Sequence, residues 1–146
     1  MNKYLILLVL VFTSCVNMAN FKQPIQGIID IPICEIETEG QSIDYIIDTG
    51  SSISLLDSSW AYQHLDTTTF VNDGRSYHDV NGNLGVIRKK VKLDGHDIYF
   101  GIQEIAPVFH ELNNLGYNIV GILGSDYLKE SGTIIDFKNK TIKSKR

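Results

Sequence analysis

From Gly27 onward the apolar residues recur at every second position in short runs, and a period of two dictates strands. Ile29, Ile31 and Ile33 alternate, and a turn follows at Glu39-Gly40. Ile43, Tyr45 and Ile47 form one face of the run from Ser42 to Ile47. Val86 to Leu93 mixes apolar and basic residues, as a strand with one wet face does. Ile98, Phe100 and Ile102 alternate with Tyr99, Gly101 and Gln103. Asn118 to Leu123 is a further apolar run, and Thr133–Phe137 with Thr141–Lys143 reads as a closing hairpin. Turn residues punctuate the runs: Asn81-Gly82 carries the strongest hairpin signal, and Asp94-Gly95 marks another turn. Helical signals are few. Asp57-Ser58-Ser59 caps a short helix through Leu65, and Ser125 to Glu130 makes one or two turns. Phe109 to Tyr117 reads as a loop. The expectation is an all-β chain with one or two short helices.

The sequence has 146 residues, which suits one domain and excludes any two-lobed enzyme of several hundred residues. Its 13 Lys and Arg stand against 17 Asp and Glu, so no basic excess points to nucleic acid. Arg88-Lys89-Lys90 is read first as a solvated strand face, with an anionic surface as the alternative partner. His64, His78, His96 and His110 are scattered, and no Cys/His cluster has metal-ligand spacing, so no metal and no cofactor is expected.

The first residues form an address. A positive start at Lys3 precedes nine apolar residues, Tyr4 to Phe12, too few for a bilayer span of ~20 residues. They fit the core of a secretory signal. Phe12-Thr13-Ser14-Cys15 resembles a bacterial lipobox, with Phe12 where Leu is usual. On that reading residues 1–14 are a signal peptide, Cys15 is lipidated, residues 15–26 are a tether and residues 27–146 are the domain. Cleavage after Ala19 is the alternative, and a buried strand or helix is the structural one. Either export reading places the protein outside the cytoplasm, in the cell envelope or secreted. If Cys15 carries lipid, Cys34 is a lone thiol in a strand-like stretch and inert; if not, a disulfide between them stays open. The Asn139-Lys140-Thr141 sequon is read as incidental.

Chemistry concentrates in Tyr45-Ile46-Ile47-Asp48-Thr49-Gly50-Ser51-Ser52-Ile53-Ser54. A carboxylate leaves an apolar strand and meets Thr-Gly-Ser at once, so Asp48 is expected at least partly inside the protein. A buried carboxylate needs donors. Gly50 allows a sharp turn that aims its N–H back at the carboxylate, and the hydroxyls of Thr49 and Ser51 are further donors. By itself Asp-Thr-Gly is also an ordinary turn. The second element is Val120-Gly121-Ile122-Leu123-Gly124-Ser125-Asp126-Tyr127-Leu128, which alone is a strand end leading into a helix.

Together, in this order, the two elements resemble the retropepsin-like aspartic proteases. Asp48-Thr49-Gly50-Ser51 matches the catalytic loop, and Ile122-Leu123-Gly124 matches the element packed behind it. Asp126-Tyr127-Leu128 matches the start of the family's short helix, and Ile134-Ile135-Asp136-Phe137 the strand that follows in bacterial single-domain members. Tyr77 to Val86 takes the flap's place, with Asn81 and Gly82 near its tip. The resemblance implies a single-domain closed β-barrel and an aspartic endopeptidase acting on a peptide or protein. It assigns Asp48, Thr49 and Gly50 to catalysis, with Ser51, Ile122, Leu123 and Gly124 in support. Two facing carboxylates share one proton and activate a water between them. The chain holds one Asp-Thr-Gly, so the resemblance implies a C2 homodimer.

Two other readings compete. Ile-Asp-Thr-Gly-Ser-Ser also resembles the first phosphate loop of actin-like sugar kinases and chaperone ATPases, but that fold needs two large α/β domains. The same β fold could also serve as a catalytically silent peptide-binding or structural module of the envelope. Ile53, Leu84, Val86 and Ile122 are candidates for pocket walls and equally for core.

Overall fold

The computed structural model describes residues 16–20, 31–72, 74, 76–79, 82–85 and 87–145. In chain order the elements are β1 (Val16–Asn20), β2 (Ile33–Thr38), β3 (Gln41–Ile47), β4 (Leu55–Asp57), α1 (Ser58–His64), β5 (Ser76–Asp79) and β6 (Gly82–Gly85). There follow β7 (Ile87–Leu93), β8 (His96–Gln103), α2 (Ala106–Asn114), β9 (Ile119–Leu123), α3 (Ser125–Glu130), β10 (Ile134–Asp136) and β11 (Thr141–Lys145). The signal segment with Cys15 lies outside the described residues.

The period-two runs become strands where expected. Glu39 and Gly40 turn the chain with φ of 50° and 76°, joining β2 to β3; Asp94 and Gly95 join β7 to β8 with φ of 48° and 87°. Paired positive φ is what tight hairpin turns require. Six strands form one sheet in the order β2-β3-β9-β4-β8-β7. β3 runs parallel to β9, and β4 parallel to β8. The parallel pairs need crossovers, which carry the helices.

The sheet curls, and β2 and β7 approach each other. No ladder joins them among the described residues, so the sheet is a partial barrel and not the closed one expected. The outer edge of β7 is already taken. Val71 and Arg88 exchange both backbone hydrogen bonds, each 2.8 Å, on that edge.

Inside the curl lies the main core. Tyr45 and Phe100 are fully buried with ring centroids 6.0 Å apart, beside Ile43, Leu56, Val91, Leu93 and Leu123. Each such side chain stabilises the fold by roughly 1.5–3 kcal/mol. Tyr45 also shares a 2.9 Å hydrogen bond with the buried Thr38 hydroxyl, so its polar end is satisfied. Cys34 is buried here as a free thiol, and burial pushes its pKa up to about 12, with Asp44 and Asp94 adding to the effect. Ile43, Tyr45 and Ile47 share this face of β3 as expected, while Ile46 joins a second cluster with Ile33, Ile105, Phe109 and Ile119.

That second cluster belongs to α2, which occupies much of the stretch expected as a loop and brings the helix count above the one or two expected. Pro107 sits in its first turn, where no N–H is needed. Its end is capped from a distance. Asp57 Oδ2 accepts the amides of Ile105 at 3.1 Å and Ala106 at 2.8 Å. Asp57 Oδ1 accepts the Trp60 amide at 3.2 Å and caps α1, as the sequence suggests. One carboxylate thus serves two helix starts.

β10 and β11 form the closing hairpin, and β1 pairs along the other side of β11. Val16–Asn20, within the stretch expected as a tether, is therefore laddered to β11. Backbone pairing alone suffices for that, whatever the side-chain polarity.

Candidate active site

Asp48 follows the last residue of β3, and its position is set by the parallel pairing with β9. Ile46 lies opposite Ile122 and Ile47 opposite Leu123, and the Asp48 amide then donates to the Leu123 carbonyl at 3.0 Å. The chain turns at once. The Ser51 amide donates to the Asp48 carbonyl at 3.1 Å, and the Gly50 amide donates to Asp48 Oδ1 at 2.8 Å. The predicted Gly50 contact is present. A Cβ on Gly50 would lie 3.1 Å from Asp48 Oδ1, so a side chain there would crowd the carboxylate.

Two expectations change. Asp48 is exposed in the single chain, together with Thr49 and Gly50, and not partly inside. The buried run ends at Ile47, one residue earlier, and the carboxylate stands beyond the sheet's end. The hydroxyls do not serve it. Ser51 Oγ donates to the Ile53 carbonyl at 2.7 Å, and among the described residues the Gly50 amide is the carboxylate's one donor. The Ser51 hydroxyl thus stiffens the loop from within.

Behind the loop lies the second motif. Gly124 is buried, and a Cβ on it would come within 2.3 Å of the Ile53 carbonyl oxygen. A Cβ on Gly121 would lie 2.7 Å from the Leu55 carbonyl oxygen and 2.8 Å from the Tyr45 ring. Both glycines are required by space. Leu123 is fully buried in the main core, and half-buried Ile122 packs on the second cluster. Ile53 is also half-buried. The side chain of Leu84 is not described, and Val86 lies outside the described residues.

Two residues that sequence reasoning did not assign to the site hold it together. Ser54 is fully buried and its amide and hydroxyl donate to Asp126 Oδ2 and Oδ1 at 2.9 and 2.7 Å. The Gly124 amide donates back to Ser54 Oγ at 3.0 Å, and Asp126 Oδ1 also accepts the Tyr127 amide at 2.7 Å. The Ser125 amide donates to the Ser51 carbonyl at 2.8 Å. The loop carrying Asp48 is thereby fastened to the start of α3, some 72 residues away in sequence. A signal existed: Ser54 is the one polar residue within Ile53-Ser54-Leu55-Leu56, and a buried hydroxyl needs a partner.

β5 and β6 form a separate two-stranded ribbon in the sequence position of the flap. Asp79 pairs with Gly82, so residues 80–81 make the connection and Gly82 begins a strand. Asn81 itself lies outside the described residues. Among the described residues, no cluster of His, Cys, Asp and Glu suits a metal ion.

No family model and no curated protein matches the chain. Solved structures do. One is "EIAV protease complexed with the inhibitor HBY-793", with a TM-score of 0.54 and 18% identity, over 75% of this chain and 95% of that one. Another is a retropepsin-like aspartic protease from Rickettsia conorii, with a TM-score of 0.57 and 17% identity, over 88% of this chain and 90% of that one. With its Asp-Thr-Gly loop seated on the β9–α3 corner, the chain has the fold of the retropepsin-like aspartic proteases.

Proposed function

We propose that the protein is an aspartic endopeptidase whose site is built from the Asp48 carboxylates of two copies. The observation that carries this reading is the presentation of Asp48. It is an exposed acid at a strand end, held by the Gly50 amide, on a loop that the Ser54–Asp126 pair locks. A single exposed carboxylate does little to a peptide bond. Two brought together on a two-fold axis share one proton, because facing like charges resist double ionisation. The ionised carboxylate takes a proton from a water, whose oxygen attacks the peptide carbon. The protonated carboxyl donates to the carbonyl oxygen, and collapse of the tetrahedral adduct breaks the C–N bond with a proton passing to nitrogen. Activity then peaks at acidic pH, with the dyad titrating as a pair. The β5–β6 ribbon would cover the substrate and exclude bulk water. We also read the chain as exported, with residues 1–14 removed and Cys15 lipid-modified.

The test is a peptide-library digestion from acidic to neutral pH with wild type, Asp48→Asn and Asp48→Ala. Wild type alone should cut, and a statine-type inhibitor should block it. An Asp48→Asn protein as active as wild type would refute the assignment. Three folded, dimeric and equally inert preparations would favour the silent binding module instead.

A further inference from the structure

The charge of this chain is sharply divided. Residues 133–146 carry five Lys and Arg against one carboxylate, while residues 1–132 carry eight against sixteen. The cationic stretch is the β10–β11 hairpin. Its strands pair Ile134 with Lys143 and Ile135 with Ile142. Ile142 is buried and Ile135 packs against the core, so that face points inward. Alternation then turns Ile134 and Lys143 outward. Ile134 is 58% exposed and Phe137, at the turn, is 59% exposed. Lys138 is exposed in the same turn and Lys140 half-exposed. The turn is held in shape: Asp136 accepts the Asn139 amide at 3.0 Å and the Asn139 side-chain N–H at 2.6 Å. Large apolar side chains set among lysines on one outward face form an amphipathic surface.

We propose that this hairpin face docks the domain onto an anionic lipid bilayer, with Ile134 and Phe137 entering the headgroup region and the lysines meeting lipid phosphates. The inference extends the reading of the chain as an exported, Cys15-anchored protein. β1 adds a second argument. Val16 pairs with Lys145, which brings the residue after Cys15 to the basic end of β11. A lipid at Cys15 and the cationic hairpin would therefore reach the same membrane patch. One acyl chain gives only marginal anchoring, and a basic patch is the kind of second signal that makes it firm. A second copy of the chain is a poorer occupant. An isologous contact through this face would set lysines against lysines.

The test uses the full unlipidated chain and vesicles of either pure phosphatidylcholine or phosphatidylcholine with phosphatidylglycerol. Wild type should partition more strongly onto the anionic vesicles, and added salt should remove the difference. The triple variant Lys138→Gln, Lys140→Gln, Lys143→Gln should lose roughly fivefold per lysine, about 100-fold in all. A Phe137→Ser variant should weaken binding at high salt too, where the lysines no longer contribute. Unchanged urea midpoints would show that both variants fold. Equal binding of wild type and the triple variant, or no preference for anionic vesicles, would overturn the proposal. So would hairpin substitutions that alter self-association in solution and leave vesicle binding untouched. Metabolic acyl labelling of Cys15 is a separate readout, so failure of the anchor and failure of the docking face are distinguishable.

Discussion

Gly124 shows how a single missing methyl can decide a site. Its backbone is extended, with φ of −90° and ψ of −174°, so any residue could adopt it. The constraint is the Ile53 carbonyl, 2.3 Å from where a Cβ would stand. Gly124→Ala must push the Asp48 loop away from the β9–α3 corner. Overpacking of this kind costs about 1–3 kcal/mol, and a urea titration should show that loss together with falling peptidase activity. Wild-type stability in the variant would contradict the contact. Cys34 makes a different residue-scale prediction. Its thiol pKa is raised from 9.0 to about 12, first by burial. Native protein at pH 8 should resist alkylation until urea unfolds it. The shift also has a linkage sign. A raised folded pKa favours the native state fully below pH 9, and that contribution is lost as the pH rises toward 12.

At the scale of elements, Asp57 is the point where two helices meet one side chain. Asp57→Ala should cost about 1 kcal/mol per cap, and so roughly 2 kcal/mol across α1 and α2. Hydrogen exchange should show faster amide exchange at the starts of both helices. Loosening confined to α1 would mean that the long-range cap contributes little. The same residue explains what the sequence could and could not disclose. α1 was legible because its cap is adjacent to it, and α3 because Gly124-Ser125-Asp126 opens it. α2 was not, because its cap comes from Asp57, 48 residues earlier, and its apolar anchors Ile105 and Phe109 make sense only over the second cluster. The ribbon of β5 and β6 was legible as a hairpin, but Asn81-Gly82 suggested a turn centred one residue late, since Gly82 pairs with Asp79. At the site, the Asp48 turn and the buried Gly124 could be read from local chemistry. The Ser54–Asp126 pair could not, because it bridges 72 residues and only the parallel β3–β9 pairing brings its halves together.

On the scale of the whole molecule, the fold supplies one carboxylate to a chemistry that needs two. Asp48 is exposed at the end of the curled sheet, in a chain with one Asp-Thr-Gly. The proposed site is then a property of an assembly, and its activity should depend on protein concentration near the dimer's dissociation constant. The most direct measurement is a subunit-mixing titration. Wild type is allowed to exchange subunits with increasing Asp48→Asn protein at constant total concentration, and peptide cleavage is followed at acidic pH. If both carboxylates are needed, activity tracks the square of the wild-type fraction, so an equal mixture retains about a quarter of the wild-type rate. A linear decline, with about half the rate retained at equal mixing, would mean that each chain works with its own single Asp48, contradicting the shared site.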